Sequence, residues 1–346
     1  MWDFSMGRAL RLMVATMPFI VLRCTVYFGI AVAYVLITGV GAGVGWGIGG
    51  LGDNSFQASA TFWGGAAGFG LTAGVVYFLR EYILYVVKAG HIAVLVQLLD
   101  QQPMPEGKSQ ISYASSVVKQ RFAQTSVLFA LDQLSKGVIR AVTGLVQGLT
   151  SLLPIPGLAQ IMGVVRAFLR IAVGLIDEVI LAYAIRTNSN NPWASAQTAL
   201  VLYSQNAKNM LKNAAWLTLI TYGLAALVFI VMLAPAAALV YLIPGAWSAG
   251  GVVFALIFAW AVKAAVIEPF AIACLLQAYF KVIEGQTPDP VWDERLSGVS
   301  KKFVTLKERA TGWMGGGAVI DPVFSNLSAV PAANIDGAIA ADQVQP

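Results

Sequence analysis

Charge is what this 346-residue chain has least of: Asp, Glu, Lys and Arg make up 11% of it, against 58% hydrophobic residues. Soluble domains carry about 25% charged residues, so an ordinary water-soluble globule is excluded. Cysteine is nearly absent. Cys24 and Cys274 each sit in an apolar stretch, which excludes a disulfide framework and a C-x-x-C metal site. The one histidine, His91, has no Cys, His or carboxylate at ligand spacing and reads as a satisfied interfacial residue. No G-x-S-x-G, H-E-x-x-H or Walker lysine motif occurs, so no enzyme activity, cofactor or metal is expected. The net charge of +5 comes without a groove-reading motif. Membrane lipids, not nucleic acid, are therefore the expected partners of the basic residues.

What is present is long uncharged sequence. Cys24 to Leu51, Ala58 to Leu79 and Asn213 to Val262 hold no charged residue, and the mean hydropathy of the chain is +0.73. About 20 helical residues cross a hydrocarbon core of about 30 Å. The expected fold class is therefore all-α: a polytopic integral membrane helical bundle with interfacial amphipathic helices. About six transmembrane helices in three hairpins are predicted, at about 24–46, 60–79, 126–153, 159–185, 214–236 and 248–280. Past Arg80 and Glu81 the second span continues as a polar-faced helix to Leu99. The segments 126–153 and 159–185 turn at Pro154-Ile-Pro-Gly157 and carry charges, so four crossings plus a re-entrant hairpin is the alternative.

Residues 1–282 form the expected transmembrane domain, 283–310 a short amphipathic cytoplasmic segment, and 311–346 a disordered tail. Lys and Arg collect on one side of the spans, while the connections at 47–59, 154–158 and 241–247 carry no cation. Both termini are thus expected in the cytoplasm, and the membrane is read as a bacterial inner membrane. Met1 to Arg23, with Arg8 and Arg11 among apolar residues, reads as an interfacial helix leading to a retained first span rather than a cleavable signal. A basic amphipathic stretch precedes each hairpin, which fits either an internal repeat or plain topology.

The candidate chemistry lies in charges within spans. Asp132, Lys136 and Arg140 fall on one helix face, and Arg166, Arg170 and Asp177 form a second stripe with Glu178 beside it. Ionisable groups inside a span usually face a bundle interior or a wet cavity. They point to a polar pathway or headgroup pocket, with the arginines holding phosphate or carboxylate, or else to ion pairs that fix helix register. Lys263, Glu268 and Pro269 form the second candidate. Pro269 has no N–H, so the Ala265 carbonyl four residues back is expected to lose its helical bond. Glu268 beside that break reads as an ion or proton site, or as a tie to Lys263 or Arg170. The alternating glycines from Gly39 to Gly49 and Gly50, with Gly64, Gly65, Gly68, Gly70 and Gly74, read as close helix packing and not as a dinucleotide loop.

From Asn188 to Gly285 the chain resembles the C-terminal half of choline-transporter-like membrane proteins. The segments that carry this are NPWASAQTALVLYSQNAKNMLKNA, from Asn191 to Ala214, and EPFAIACLLQAYFKVIEG, from Glu268 to Gly285. The resemblance implies transport of a choline-like or lipid-derived solute. That family's ten or so spans and large external loop are missing from this sequence.

The leading expectation is a transporter or permease-like protein with a polar cavity among spans 3, 4 and 6, for a small solute or lipid-derived headgroup. The alternative is a non-catalytic membrane subunit or scaffold that docks protein partners through its C-terminal tail or as a homo-oligomer. In that reading Trp292, Phe303 and Trp313 anchor the partner.

Overall fold

The computed structural model describes residues 2–79, 84–121, 134, 137–138, 176–241 and 250–313. Among them the chain is helical and contains no strand. The helices are α1 (Met6–Ala15), α2 (Met17–Gly49), α3 (Asn54–Leu79), α4 (Tyr85–Leu99), α5 (Gln110–Arg121) and α6 (Ile176–Arg186). They continue with α7 (Pro192–Gln205), α8 (Ala207–Tyr241), α9 (Gly250–Val262), a π-helical turn (Lys263–Ile267), α10 (Glu268–Val282), α11 (Pro290–Val299) and α12 (Lys301–Thr311).

Among the described residues three helices are long and apolar enough to cross a membrane: Met17–Gly49, Ala207–Leu239 and Gly251–Val282. They coincide with the expected first, fifth and sixth spans. Each has 32 or 33 residues and reaches about 50 Å, well beyond the thickness of a hydrocarbon core. Each therefore has an end left over to pack elsewhere. The α8 helix does not end at Pro235, which lies inside it.

Glycine joins α2 to α3. A Cβ on Gly41 would collide with the Gly64 carbonyl, one on Gly45 with the Ala60 carbonyl, and one on Gly68 with the Ile37 carbonyl. These pairs run in opposite senses along the two helices, so the hairpin is antiparallel and its backbones touch. The interleaved Gly39, Gly43, Gly47, Gly70 and Gly74 have no such neighbour within 4 Å. Only half of the glycine pattern is a seam. Leu36, Val40 and Val44 on α2, and Leu219, Leu227 and Ile230 on α8, are exposed, as side chains solvated by lipid tails would be.

The other half of the molecule is a packed helical bundle. Its centre is α4, in which Val86, Val87, Ala89 to Val96 and Leu99 are all buried. This corrects the expected polar-faced extension of span 2: α4 is buried along most of its length, and no residue of it is fully exposed. Against it lie α1, α2, α5 and α6; α10 packs on α1, α6 and α8, and every one of its residues from Pro269 to Phe280 is buried. The chain from α1 into α2 runs antiparallel to α10. Ser5 exchanges backbone hydrogen bonds with the Gln277 side chain at 3.3 Å, and Arg23 reaches Ala264. The expected interfacial helix is thus a member of the bundle.

A second core joins Leu134, Val138, Ile180, Trp193, Leu200, Leu296, Phe303 and Leu306. Leu134, Val138 and α6 were expected inside spans 3 and 4. They pack instead with the segment expected to be cytoplasmic. The remainder of those two spans, and the tail beyond residue 313, lie outside the described residues. Asn191 caps α7 by accepting from the Trp193 and Ala194 N–H groups at 3.1 Å, and donates to the Ala310 carbonyl at 2.7 Å. The Asn-Pro-Trp segment therefore has a structural task, which is to close α12 onto α7.

Candidate functional site

Membrane-length helices enter the bundle around the π turn, and its geometry follows from Pro269. In the π register the Glu268 N–H bonds to the Lys263 carbonyl, five residues back. The next carbonyl, that of Ala264, should pair with residue 269, which is proline and has no hydrogen to give. Arg23 fills the vacancy: its Nε and Nη2 donate to the Ala264 oxygen at 3.3 and 2.8 Å. The freed carbonyl is thus Ala264 rather than the expected Ala265, because the bulge shifts the register by one.

Charged groups gather here. The Lys263 Nζ donates to Glu268 Oε1 at 2.8 Å. Glu268 Oε2 stands 3.7 Å from Arg23 Nη2. From α4, Lys88 pairs with Glu178 of α6, and its charge also reaches Glu268. Exposure is graded across the group. The side chains of Lys263 and Glu268 are 30% and 33% exposed, and that of Arg23 is 2% exposed. A carbonyl and a carboxylate face the Arg23 guanidinium, and the Tyr27 ring lies 5.8 Å away. Its Nη1 has no hydrogen-bond partner among the described residues.

Next to this group, His91 is wholly enclosed. Its ring stacks on Phe19 at 5.3 Å and an interplanar angle of 4°. Its Nε2 lies 2.9 Å from the Thr16 hydroxyl, which already donates its proton to the Leu12 carbonyl at 2.8 Å. His91 must therefore donate from Nε2, leaving Nδ1 as a bare acceptor without a partner among the described residues. Burial, and then the charge of Arg23, hold its pKa well below 6.5, so it is neutral. The expectation of a satisfied interfacial histidine is corrected on both counts.

Of the candidate residues named from sequence, Glu178, Lys263 and Glu268 are brought together at this junction. Asp132, Lys136, Arg140, Arg166, Arg170 and the side chain of Asp177 lie outside the described residues. Arg23 and Lys88 were read only as flanking charges that set topology. The signal for Arg23 was its position, the last charge before a long uncharged run.

A cleft of about 790 Å³ opens at the opposite end of the bundle, lined in part by Asp3, Arg8, Asp100, Arg186 and Lys281. Most of its charges are occupied. Arg186 forks onto Asp100 at 3.0 and 2.6 Å and lies 4.3 Å from the Phe280 ring. Arg8 donates to the Leu99 carbonyl at 2.7 Å. Both arginines thereby meet the negative end of α4. Asp3 pairs with Asn213 at 2.7 Å and lies 3.5 Å from Lys212; the Asn213 hydrogen bond above all lowers its pKa. The cleft reads as a set of ties between helix ends.

Compared with protein families, with curated proteins and with solved structures, the chain matches none. Among the described residues no group of three or more His, Cys, Asp or Glu is placed to hold a metal ion.

Proposed function

We propose that this chain is a transporter or permease-like protein of a bacterial inner membrane, with both termini cytoplasmic, and that the Arg23–Lys263–Glu268 junction is its solute or headgroup site. One observation carries the reading. Charged side chains from α2, α4, α6 and the π-turn helix converge where long apolar helices enter the bundle, around a carbonyl with no helical partner. Ionisable groups at such a depth by default mark solute or ion routes. Broken helical turns with freed carbonyls recur at them. The resemblance to choline-transporter-like proteins adds a choline-like solute to those worth trying.

The scaffold alternative has less support. Phe303 is buried, and the Trp313 indole donates to the Asn190 carbonyl at 2.8 Å and packs on Trp193. Those aromatics serve the chain itself.

The test is reconstitution into phosphatidylethanolamine–phosphatidylglycerol vesicles. The probes are radiolabelled choline, glycerol 3-phosphate and phosphate, with a fluorescent phosphatidylglycerol for transbilayer movement. At least one probe should move faster than in protein-free vesicles, and Lys263→Gln should slow it. If no probe moves faster, or the variant changes nothing, the transport reading fails. Co-elution of other chains in mild detergent, with no probe moving, would favour the scaffold.

A further inference from the structure

We infer that Arg23 forms the floor of an oxyanion site, which takes a phosphate group entering past Lys263 and Glu268. The inference rests on the junction being the solute site proposed above and names the chemistry of its ligand.

The argument starts from unspent hydrogen-bond capacity. A guanidinium carries five N–H donors in one plane. In Arg23 the Nε and Nη2 edge is used on the Ala264 carbonyl, and Nη1 has no partner among the described residues although the residue is 1% exposed. Water outside the protein therefore does not serve it. The Glu268 carboxylate does not serve it either. Glu268 is docked on Lys263 at 2.8 Å, and its other oxygen, at 3.7 Å from Nη2, is beyond hydrogen-bond reach. A buried cationic fork with a free donor calls for an acceptor that arrives from elsewhere.

The way in and the depth both suit phosphate. Lys263 and Glu268 are about one-third exposed and form the lip, while Arg23 lies beneath. Arg23 is the last charge before the uncharged run from Cys24 to Leu51, and Lys263 is the first after the run from Asn213 to Val262. The site thus lies at the border of the apolar stretches, the level at which lipid phosphates sit. A phosphate there accepts from Arg23 Nη1 and from Lys263 Nζ, and Glu268 turns outward to release the lysine. Arginine and lysine together are a frequent phosphate pair, the first as a fork and the second as a point charge.

The test uses the full-length protein in detergent, with binding read by native mass spectrometry and by the fluorescence of Trp260, which packs on Tyr27 at 5.3 Å. The probes are inorganic phosphate, short-chain phosphatidylglycerol and, as the phosphate-free control, short-chain diacylglycerol. One phosphatidylglycerol should be retained per chain and the diacylglycerol should not. Lys263→Gln and Arg23→Lys should each weaken retention about tenfold or more. Lys263→Gln leaves the buried arginine in place, so it keeps the test valid should Arg23→Lys fail to fold. Competition by inorganic phosphate would assign the site to free phosphate, and its absence to the headgroup. Equal retention of diacylglycerol, or binding unaffected by Lys263→Gln, overturns the inference, even if choline flux is observed. Phosphate binding without flux of any probe would sink the transport reading and leave the site standing.

Discussion

Two glycines two residues apart, on opposite faces of α2, should respond to the same substitution with opposite sign. At Gly45 an added Cβ would overlap the Ala60 carbonyl oxygen and stand 2.7 Å from its carbon and 3.1 Å from the Thr61 Cα. These are backbone atoms, so no rotamer change relieves the overlap. Ordinary carbon contacts are about 3.5–4.0 Å, so α2 and α3 must separate by roughly 1 Å. That also loosens the Gly41–Gly64 and Gly68–Ile37 contacts. Overpacking of this kind costs about 1–3 kcal/mol. At Gly43 nothing lies within 4 Å, so alanine brings only its helix propensity, a gain of about 0.5–1 kcal/mol. Gly45→Ala and Gly43→Ala should therefore differ by about 1.5–4 kcal/mol. The assay is SDS-induced unfolding of the purified protein, followed by intrinsic fluorescence, to which Trp46 and Trp63 on the hairpin contribute. Equal shifts, or a more stable Gly45→Ala, would refute the backbone-contact seam.

Four further outcomes are expected. Glu268→Gln removes the carboxylate that binds Lys263 and faces Arg23 and, since Glu268 is one-third exposed, should cost about 1–3 kcal/mol in unfolding; the double variant with Arg23→Gln should cost less than the sum of the two. His91 is neutral in the fold with its pKa held below the usual 6.5, so below that pH the unfolded chain binds the extra proton. Stability present above pH 6.5 should fall with acidity, by up to about 1.4 kcal/mol per pH unit from this residue, and His91→Phe should remove that slope. Asn191→Ala loses the α7 cap and the bond to Ala310, and should cost about 1 kcal/mol while speeding proteolysis at residues 301–313. Phe303→Ala empties a buried site, at about 3–5 kcal/mol, and should expose Lys301 and Lys302 to trypsin.

How much was legible from sequence varies by element. The long helices were, because length and lack of charge are local properties that need no partner. The glycine pattern was legible as packing but not as to which glycines pack: Gly41 and Gly43 look alike until α3 is placed beside one of them. The Lys263–Glu268 pair could be named because its members are five residues apart, whereas Arg23 and Ala264 are 241 apart. His91 could not be judged without Phe19 and Thr16 around it.

By itself the sequence determined the solvent: uncharged runs such as Cys24 to Leu51 must be helical and apolar-solvated, since an ionised group in hydrocarbon is too costly. What it left open was whether lipid or protein does the solvating. Val40 on α2 and Val94 on α4 are the same side chain in similar sequence, yet the first is 66% exposed and the second buried. Lipid tails and neighbouring side chains are equally apolar, so hydropathy does not separate them. Only the tertiary arrangement settled that α4 and α10 are protein core, and that an arginine at the end of a span would meet the one carbonyl that a distant proline had set free.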